Sequence, residues 1–311
     1  VMDLSSISPV LLIASLMISA TPILLAAIGE MVVEKSGVLN LGVEGMMITG
    51  AVVGFVAAIN SGSPGLGFVA AALAGAALSL SFALLTQVLL SNQVATGLGL
   101  TLAGLGLSSL IGKPYEGMKA ASLPKLDIPL LGDLPVVGRM LFSHDIMVYF
   151  SLLLVLAVWA FLKYTRAGLI LRAVGESAES AHALGYKVVQ VRVAAIMFGG
   201  ACAGLGGAYL SLVRVPQWTE GMTAGAGWIA LAIVVFASWR AGRVLIGAYL
   251  FGGISVLQLN LQAAGMTWGV QYLSMSPYLV TILVLVFISS NRSRMSHDAP
   301  ANLGQTFHAT R

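Results

Sequence analysis

The chain has 311 residues, 58% of them hydrophobic and 9% charged, with a mean hydropathy of +0.94. A soluble domain carries about 25% charged residues, so most of this chain cannot face water, and a soluble helical bundle is excluded. The net charge of +4 is no nucleic-acid footprint, because the basic residues stand at the ends of apolar runs and in loops, where membrane topology places them.

A helix that crosses a membrane needs about 20 mainly apolar residues. Nine such spans are predicted, making an all-α, polytopic transmembrane bundle. The first covers residues 9–28; the N-terminal stretch before it has Asp3 and no Lys or Arg, unlike the basic start of a secretory signal, so this run reads as a retained helix. A mixed stretch, 29–47, carries Glu30, Glu34, Lys35, Asn40 and Glu44, and reads as a broken helix leading into a second span that ends near residue 59. The turn NSGSPG (60–65) leads to a third span, 66–90, and SNQ (91–93) to a fourth, 94–111. Residues 113–145 form the longest polar segment, with four prolines and balanced charge.

The fifth span covers 146–162 and the sixth 193–213, with a charged loop between them. A Gly-rich short span follows at 224–238, then the basic turn WRAGR (239–243), an eighth span at 244–263 and a ninth at 277–289. Residues 1–290 read as one membrane domain and 291–311 as a polar, mobile tail. Gly200 and Gly204 make a GxxxG pattern in the sixth span, which reads as tight packing within the chain. Trp218, Trp228, Trp239 and Trp268 fall at span ends, as an aromatic belt would place them, with sugar stacking a lesser reading for Trp218 and Trp268. Cys202 is the single cysteine and makes no intrachain disulfide.

Charge sets the orientation. The loop 163–192 holds Lys163, Arg166, Arg172, Lys187 and Arg192 against Glu176 and Glu179. Placing it in the cytoplasm also places WRAGR and the tail, with Arg292 and Arg294, on that side. The N-terminus and the 113–145 loop then lie outside. Within the loop, SAESAHAL (177–184) is rich in helix formers and is followed by Gly185, a helix stop. Its early glutamates suit the helix dipole. The surrounding basic residues read as membrane-edge anchors.

Catalytic motifs are missing. GLSSLIGKP (106–114) has one residue too many between its glycines for a nucleotide loop, and Pro114 stands where Ser or Thr would bind magnesium. No HExxH and no Cys/His metal spacing occurs. The predicted spans hold no His or Asp to activate a nucleophile. No catalytic residue, metal or cofactor is therefore expected, and transport is the remaining class.

The ionisable groups that could couple transport to ions reduce to Glu44, with Glu30 and Glu34 nearer the edge. So sparse a set asks for another energy source, and the charged loop is a handle for one. Asn40, Asn92, Gln93, Thr96 and Thr101 are uncharged hydrogen-bonding groups in or near spans. They suit a neutral hydroxylated solute in a pathway or, equally, bonds between helices. Glu44 is a sixth pathway candidate, but it reads first as a structural lock, paired with Lys35 or with a helix N-terminus, and only second as a solute contact.

Four stretches carry a resemblance: EKSGVLNLGVEGMM (34–47), NQVATGLGL (92–100), TRAGLILRAVGESAESAHALGY (165–186), and GAGWIALAIVVFASW (225–239) with LFGG (250–253). In this order they are similar to the permeases of ABC importers that serve branched-chain amino acids, ribose-type sugars and nucleosides, nearest the simple-sugar/nucleoside branch. The resemblance implies a type II-like permease fold with broken helices. It implies that the loop residues Gly175, Glu176, Ser177, Glu179, His182, Leu184, Gly185 and Tyr186 dock on a separate ATPase subunit, which binds the ATP. It implies that residues 29–50 and 92–101 line or brace the pathway.

The partners implied are that ATPase, a second and usually different permease, and a periplasmic or lipid-anchored solute-binding protein. The location implied is the bacterial inner membrane. The family pattern often has Gly near Ala237 and Pro near Ala241, and this chain has neither. A branched-chain amino acid permease and a stand-alone secondary transporter are the competing readings.

Overall fold

Eleven α-helices account for most of the computed structural model, which describes residues 9–121, 123–126, 142–263, 269–289 and 299–308. α1 (Pro9–Lys35) and α2 (Val43–Ser61) are joined by a short loop. α3 (Pro64–Ala83) ends in a π-helical turn, Leu84–Val88. α4 (Gln93–Gly112) opens on Asn92, whose side chain accepts from the Ala95 amide. α5 (Ile146–Tyr164), α6 (Arg166–Glu176), α7 (Ala178–Ala183) and α8 (Val188–Tyr209) follow, with a second π-helical turn at Leu210–Arg214. α9 (Ala226–Phe236), α10 (Ala241–Ala263) and α11 (Val270–Ser289) complete the bundle.

Each of the nine predicted spans has a helix. Seven are long and apolar enough to cross a membrane, and α9 and the Ser274–Val284 part of α11 are shorter apolar helices. At 11 residues, α9 is about 16 Å long and cannot cross about 30 Å of hydrocarbon. It is a half-span, preceded by the non-helical residues 215–225.

The first departure from expectation lies at residues 29–47. α1 continues unbroken through Glu30 and Glu34 to Lys35, and both carboxylates are buried. The break is confined to residues 36–42. Charge marked a helix end where the protein instead supplies partners. Asn40 Nδ2 donates to Glu30 Oε2 at 3.4 Å and Trp239 Nε1 donates to Glu34 Oε2.

α8 is the centre of the bundle, and its glycines explain how. A Cβ on Gly200 would strike Ser79, and one on Gly204 would strike the backbone of Ala71. Gly207 lies on the Met47 backbone, Gly206 on Pro22 and Gly199 on Val33. Backbones that approach this closely gain dispersion contact without side chains to order. The GxxxG pattern therefore packs α8 against α1, α2 and α3 of the same chain, as the sequence indicates.

The opposite end from α6 and α7 is tied by Asp145. Its Oδ1 accepts from the Met147 and Val148 amides, which caps α5, and its Oδ2 accepts from Tyr209 Oη at 2.8 Å. The Trp belt is corrected in part: Trp218 and Trp239 are interior, at 1% and 7% exposure, while Trp228 is exposed. Trp218 donates to Ser108 Oγ and fills the space a Cβ on Gly112 would need, so it offers no face to a sugar. Trp268 lies outside the described residues.

The tail also departs from expectation. Residues 299–308 fold back onto the helices. The Asn302 amide donates to Gly175 O, and the Gly304 amide to Gly37 O. Phe307 is buried with Val174, Ala178, Ala181 and Val188 beneath α7.

Candidate functional site: a half-helix, its lock and the α7 loop

α9 begins without a side-chain cap of its own, because Gly225 stands at its N-cap position with φ +84°. The first amides of a helix need acceptors, and Glu44 supplies them from α2. Its Oε1 accepts from Thr223 Oγ1 and from the Gly225 amide at 2.9 Å, and its Oε2 accepts from the Gly227 amide at 2.6 Å. Glu44 is 3% exposed. A buried carboxylate is costly unless its lone pairs are met, and the positive end of the helix dipole favours its charge. Of the two partners considered for Glu44, the helix N-terminus is the one it has.

At the other end of α9, Ser238 and Trp239 hold φ of +50° and +53°. Left-handed backbone at non-glycine residues costs about 1–3 kcal/mol each. The Trp239–Glu34 hydrogen bond holds this turn, where the family pattern would have a glycine nearby. α9 is thus fixed to α2 at its start and to α1 just beyond its end.

Two adjoining cavities of about 420 and 440 Å³ lie along α9, between it, α10 and α11, and both touch Ala224, Ile229, Phe251 and Tyr278. Thr219, Ser255, Gln258 and Ser274 add hydroxyl and amide groups toward the end of the bundle where α8 finishes. Trp228 joins Phe251 and Tyr278 in the second cavity. Gln258 Nε2 donates to Ser274 Oγ at 3.2 Å. Arg214 is the one charged side chain among the described lining residues. Aromatic walls with a few neutral hydrogen-bonding groups suit a planar or hydroxylated neutral molecule.

The sequence-predicted pathway residues lie elsewhere. Asn40, Gln93 and Thr101 meet around the α1–α2 loop. Gln93 Oε1 accepts from the Leu39 amide at 2.8 Å, Thr101 Oγ1 donates to Leu41 O, and Asn40 Oδ1 accepts from the Gly42 amide. Glu44 stands next to this group at the start of α2. Asn92 caps α4, and Thr96 pairs with Ser91 Oγ at 2.8 Å. Each of the six hydrogen-bonds within the chain, and none is among the described residues lining the two cavities.

The polar lining of the cavities was missed. The signal was present as a stripe: Ser255 and Gln258 are three apart on α10, and Ser274 and Tyr278 four apart on α11, spacings that share a helix face.

The loop residues are brought together as anticipated. Thr165 caps α6, Ser177 Oγ accepts from the Ser180 amide to cap α7, and Gly185 ends it with φ +85°. Ala178 and Ala181 face inward, Gly175 is pressed against Lys35 O, and Tyr186 is half-buried. Glu176, Glu179, His182, Leu184 and Gly185 are exposed. Leu184 is 76% exposed, an apolar knob at the tip of a polar helix. His182 meets the Phe307 ring edge-on at 5.4 Å. Arg192, read as a membrane-edge anchor, is instead fully buried. It donates to Ser36 O at 3.2 Å and to Gln305 O at 3.1 Å, joining the α1–α2 loop to the tail.

Comparison with known proteins gives this architecture a family. The family model described as branched-chain amino acid transport system / permease component matches residues 12–288. The chain is similar to a putative glucose ABC transporter permease protein of Haloferax volcanii, 40% identical over 93% of this chain and 95% of that one. It is similar to a guanosine ABC transporter permease protein of Bacillus subtilis, 33% identical over 91% and 93% of the two chains. A nucleoside ABC transporter permease protein of Lactococcus lactis is 28% identical over 88% and 91%. No solved structure matches the chain. With nearly its whole length matched and relatives named for sugars and nucleosides, this multi-pass membrane protein belongs to the branched-chain amino acid transport system / permease component family, as an ABC transporter permease of its simple-sugar and nucleoside branch.

Proposed function

We propose that this chain is the membrane-spanning subunit of an ATP-driven importer that carries a simple sugar or a nucleoside, and that it is not itself an enzyme. The solute path runs along α9 through the two adjoining cavities. Their lining of Thr219, Ser255, Gln258 and Ser274 beside Phe251 and Tyr278 suits a neutral hydroxylated or aromatic solute better than a branched-chain amino acid. A zwitterion would call for a carboxylate to meet its ammonium, and no Asp or Glu is among the described lining residues. Relatives named for glucose and guanosine support the same class. The chain acts with a solute-binding protein, a second permease and an ATPase that binds the ATP. It lies in the bacterial inner membrane, with its N-terminus outside and α7 and the C-terminus in the cytoplasm.

The observation that carries the coupling role is the exposed apolar tip of α7. Leu184 stands 76% exposed on a helix seated on buried Ala178 and Ala181. Burying such a side chain in a partner's groove contributes about 1.5–3 kcal/mol. Leu184→Asp and Glu179→Arg should each lower solute-stimulated ATP hydrolysis and uptake about tenfold or more, with the chain still in the membrane. Unchanged uptake in the reassembled transporter would sink the docking role. Competition of radiolabelled guanosine uptake by glucose, adenosine and leucine then sorts the solute class.

A further inference from the structure

A second large groove has no part in the path along α9. It is about 780 Å³ in volume and lies at the α6–α7 end, between α5 and the start of α10. Its mouth is basic: Lys35 ends α1, Lys163 lies in the last turn of α5, Arg172 is on α6, and Arg240 and Arg243 flank the start of α10. Five cations from four parts of the chain converge there, and no carboxylate is among the described lining residues. Lys163 Nζ sits 5.0 Å from the centre of the Trp159 ring and 5.1 Å from that of Tyr164, which holds the ammonium at the rim. Ala241 and Gly242, also in the lining, open α10, and first-turn amides attract an anion.

Behind this mouth the wall turns apolar. Leu152, Val155, Leu156 and Leu162 run along α5, opposite Leu245 of α10. The rise from Leu152 to Leu162 makes a strip about 15 Å long. Leu156 is 58% exposed on a helix that is apolar enough to span the membrane, so the strip opens toward lipid.

We propose that this groove binds an anionic phospholipid, with the phosphate among Lys163, Arg172 and Arg243 and an acyl chain along the α5 strip. A basic pocket continuous with an apolar wall at a membrane edge has the two chemistries of such a lipid in the right order. A water-soluble phosphate ester would use the mouth and leave the strip empty. Transport is no premise here: the inference needs only that the helices span a bilayer.

The test uses the full chain in neutral detergent, titrated with dioleoyl phosphatidylglycerol or dioleoyl phosphatidylcholine and read by native mass spectrometry. Phosphatidylglycerol should bind about tenfold or more tighter. Combined Lys163→Gln, Arg172→Gln and Arg243→Gln should weaken it about a hundredfold, whereas Arg166→Gln with Lys187→Gln, outside the groove, should change it less than about twofold. Equal losses in both sets would mean diffuse charge attraction and overturn the site. Leu156→Trp leaves every cation in place and fills the strip; it should lower binding about tenfold, and unchanged binding overturns the acyl wall even if the charge variant fails to assemble. Glycerol 1-phosphate should not displace the lipid. Displacement at matched concentration would assign the mouth to a soluble phosphate, and oxidant-driven disulfide capture between Leu156→Cys and a cysteine placed on a second permease would assign the strip to a protein interface; either result overturns the proposal.

Discussion

Two groups of buried carboxylates sit within about two helical turns of the α1–α2 loop and are treated in opposite ways. Glu44 has both oxygens engaged, with two backbone amides and a hydroxyl donating to them. Glu30 and Glu34 each have one oxygen engaged and one, buried, with no hydrogen-bond partner among the described residues. A saturated carboxylate at a helix N-terminus has one low-energy arrangement, so Glu44 is a fixed joint. An under-satisfied pair can gain by exchanging partners, and it lies where α1 meets the strained turn between α9 and α10. The difference separates the two ends of the half-helix: the Glu44 end is joined to α2 by three hydrogen bonds, while the Trp239 end is joined to α1 by one hydrogen bond to an under-satisfied carboxylate and by the packing of the buried indole.

Removing the anchor should have the largest effect. Glu44→Ala leaves the Gly225 and Gly227 amides and the Thr223 hydroxyl without their acceptor inside the protein. The loss should be about 3–5 kcal/mol, visible as a collapsed yield or a large drop in Tm in detergent. A variant that melts with the parent would mean that α9 needs no lock from α2.

The lock also shows how far the sequence could be read. A lone glutamate in an apolar run had to be partnered, and a helix N-terminus was one of the two partners considered. Thr223, Gly225 and Gly227 were not identifiable as that partner, because they lie about 180 residues away and offer mainly backbone. The α7 helix and its stop at Gly185 were legible, because helix formers and a terminal glycine are local chemistry, whereas the cap at Ser177 and the preceding helix α6 were not read from the sequence. The tail was not. Nothing periodic in residues 299–308 announces that Phe307 fills the underside of α7, or that Gln305 O meets Arg192; those contacts depend on how distant elements come together. Glu30 and Glu34 misled the reading of α1 for the same reason, since their partners Asn40 and Trp239 are supplied by tertiary structure. The two cavities along α9 were not anticipated because polar residues were sought near the best-matched motifs rather than as a stripe on α10 and α11.

The Trp239 end should respond more moderately. Trp239→Phe removes the donor to Glu34 Oε2 and leaves that carboxylate with neither oxygen met among the described residues. A lost partner at a buried polar group costs about 1–3 kcal/mol. The variant also frees a turn whose Ser238 and Trp239 hold positive φ, so protease cutting between α9 and α10 should rise along with the fall in Tm. A stable variant with an uncut turn would show that the indole N–H and its hydrogen bond to Glu34 are not what holds the turn.

The smallest effect separates the two kinds of carboxylate. Glu34→Gln keeps an oxygen to accept from Trp239 Nε1 and places its new amide nitrogen where the partnerless oxygen was. One unmet acceptor becomes one unmet donor, and the stability change should stay within about 1 kcal/mol. The same substitution at Glu44 has no such position to use: both oxygens accept from donors, so the amide nitrogen must face one of them, and about 1–3 kcal/mol should be lost. Thermal melts of the two glutamine variants in one detergent make the comparison direct. Equal losses would mean that the second oxygen of Glu34 is met in the folded membrane protein, and the contrast between the two ends of α9 would fall with it.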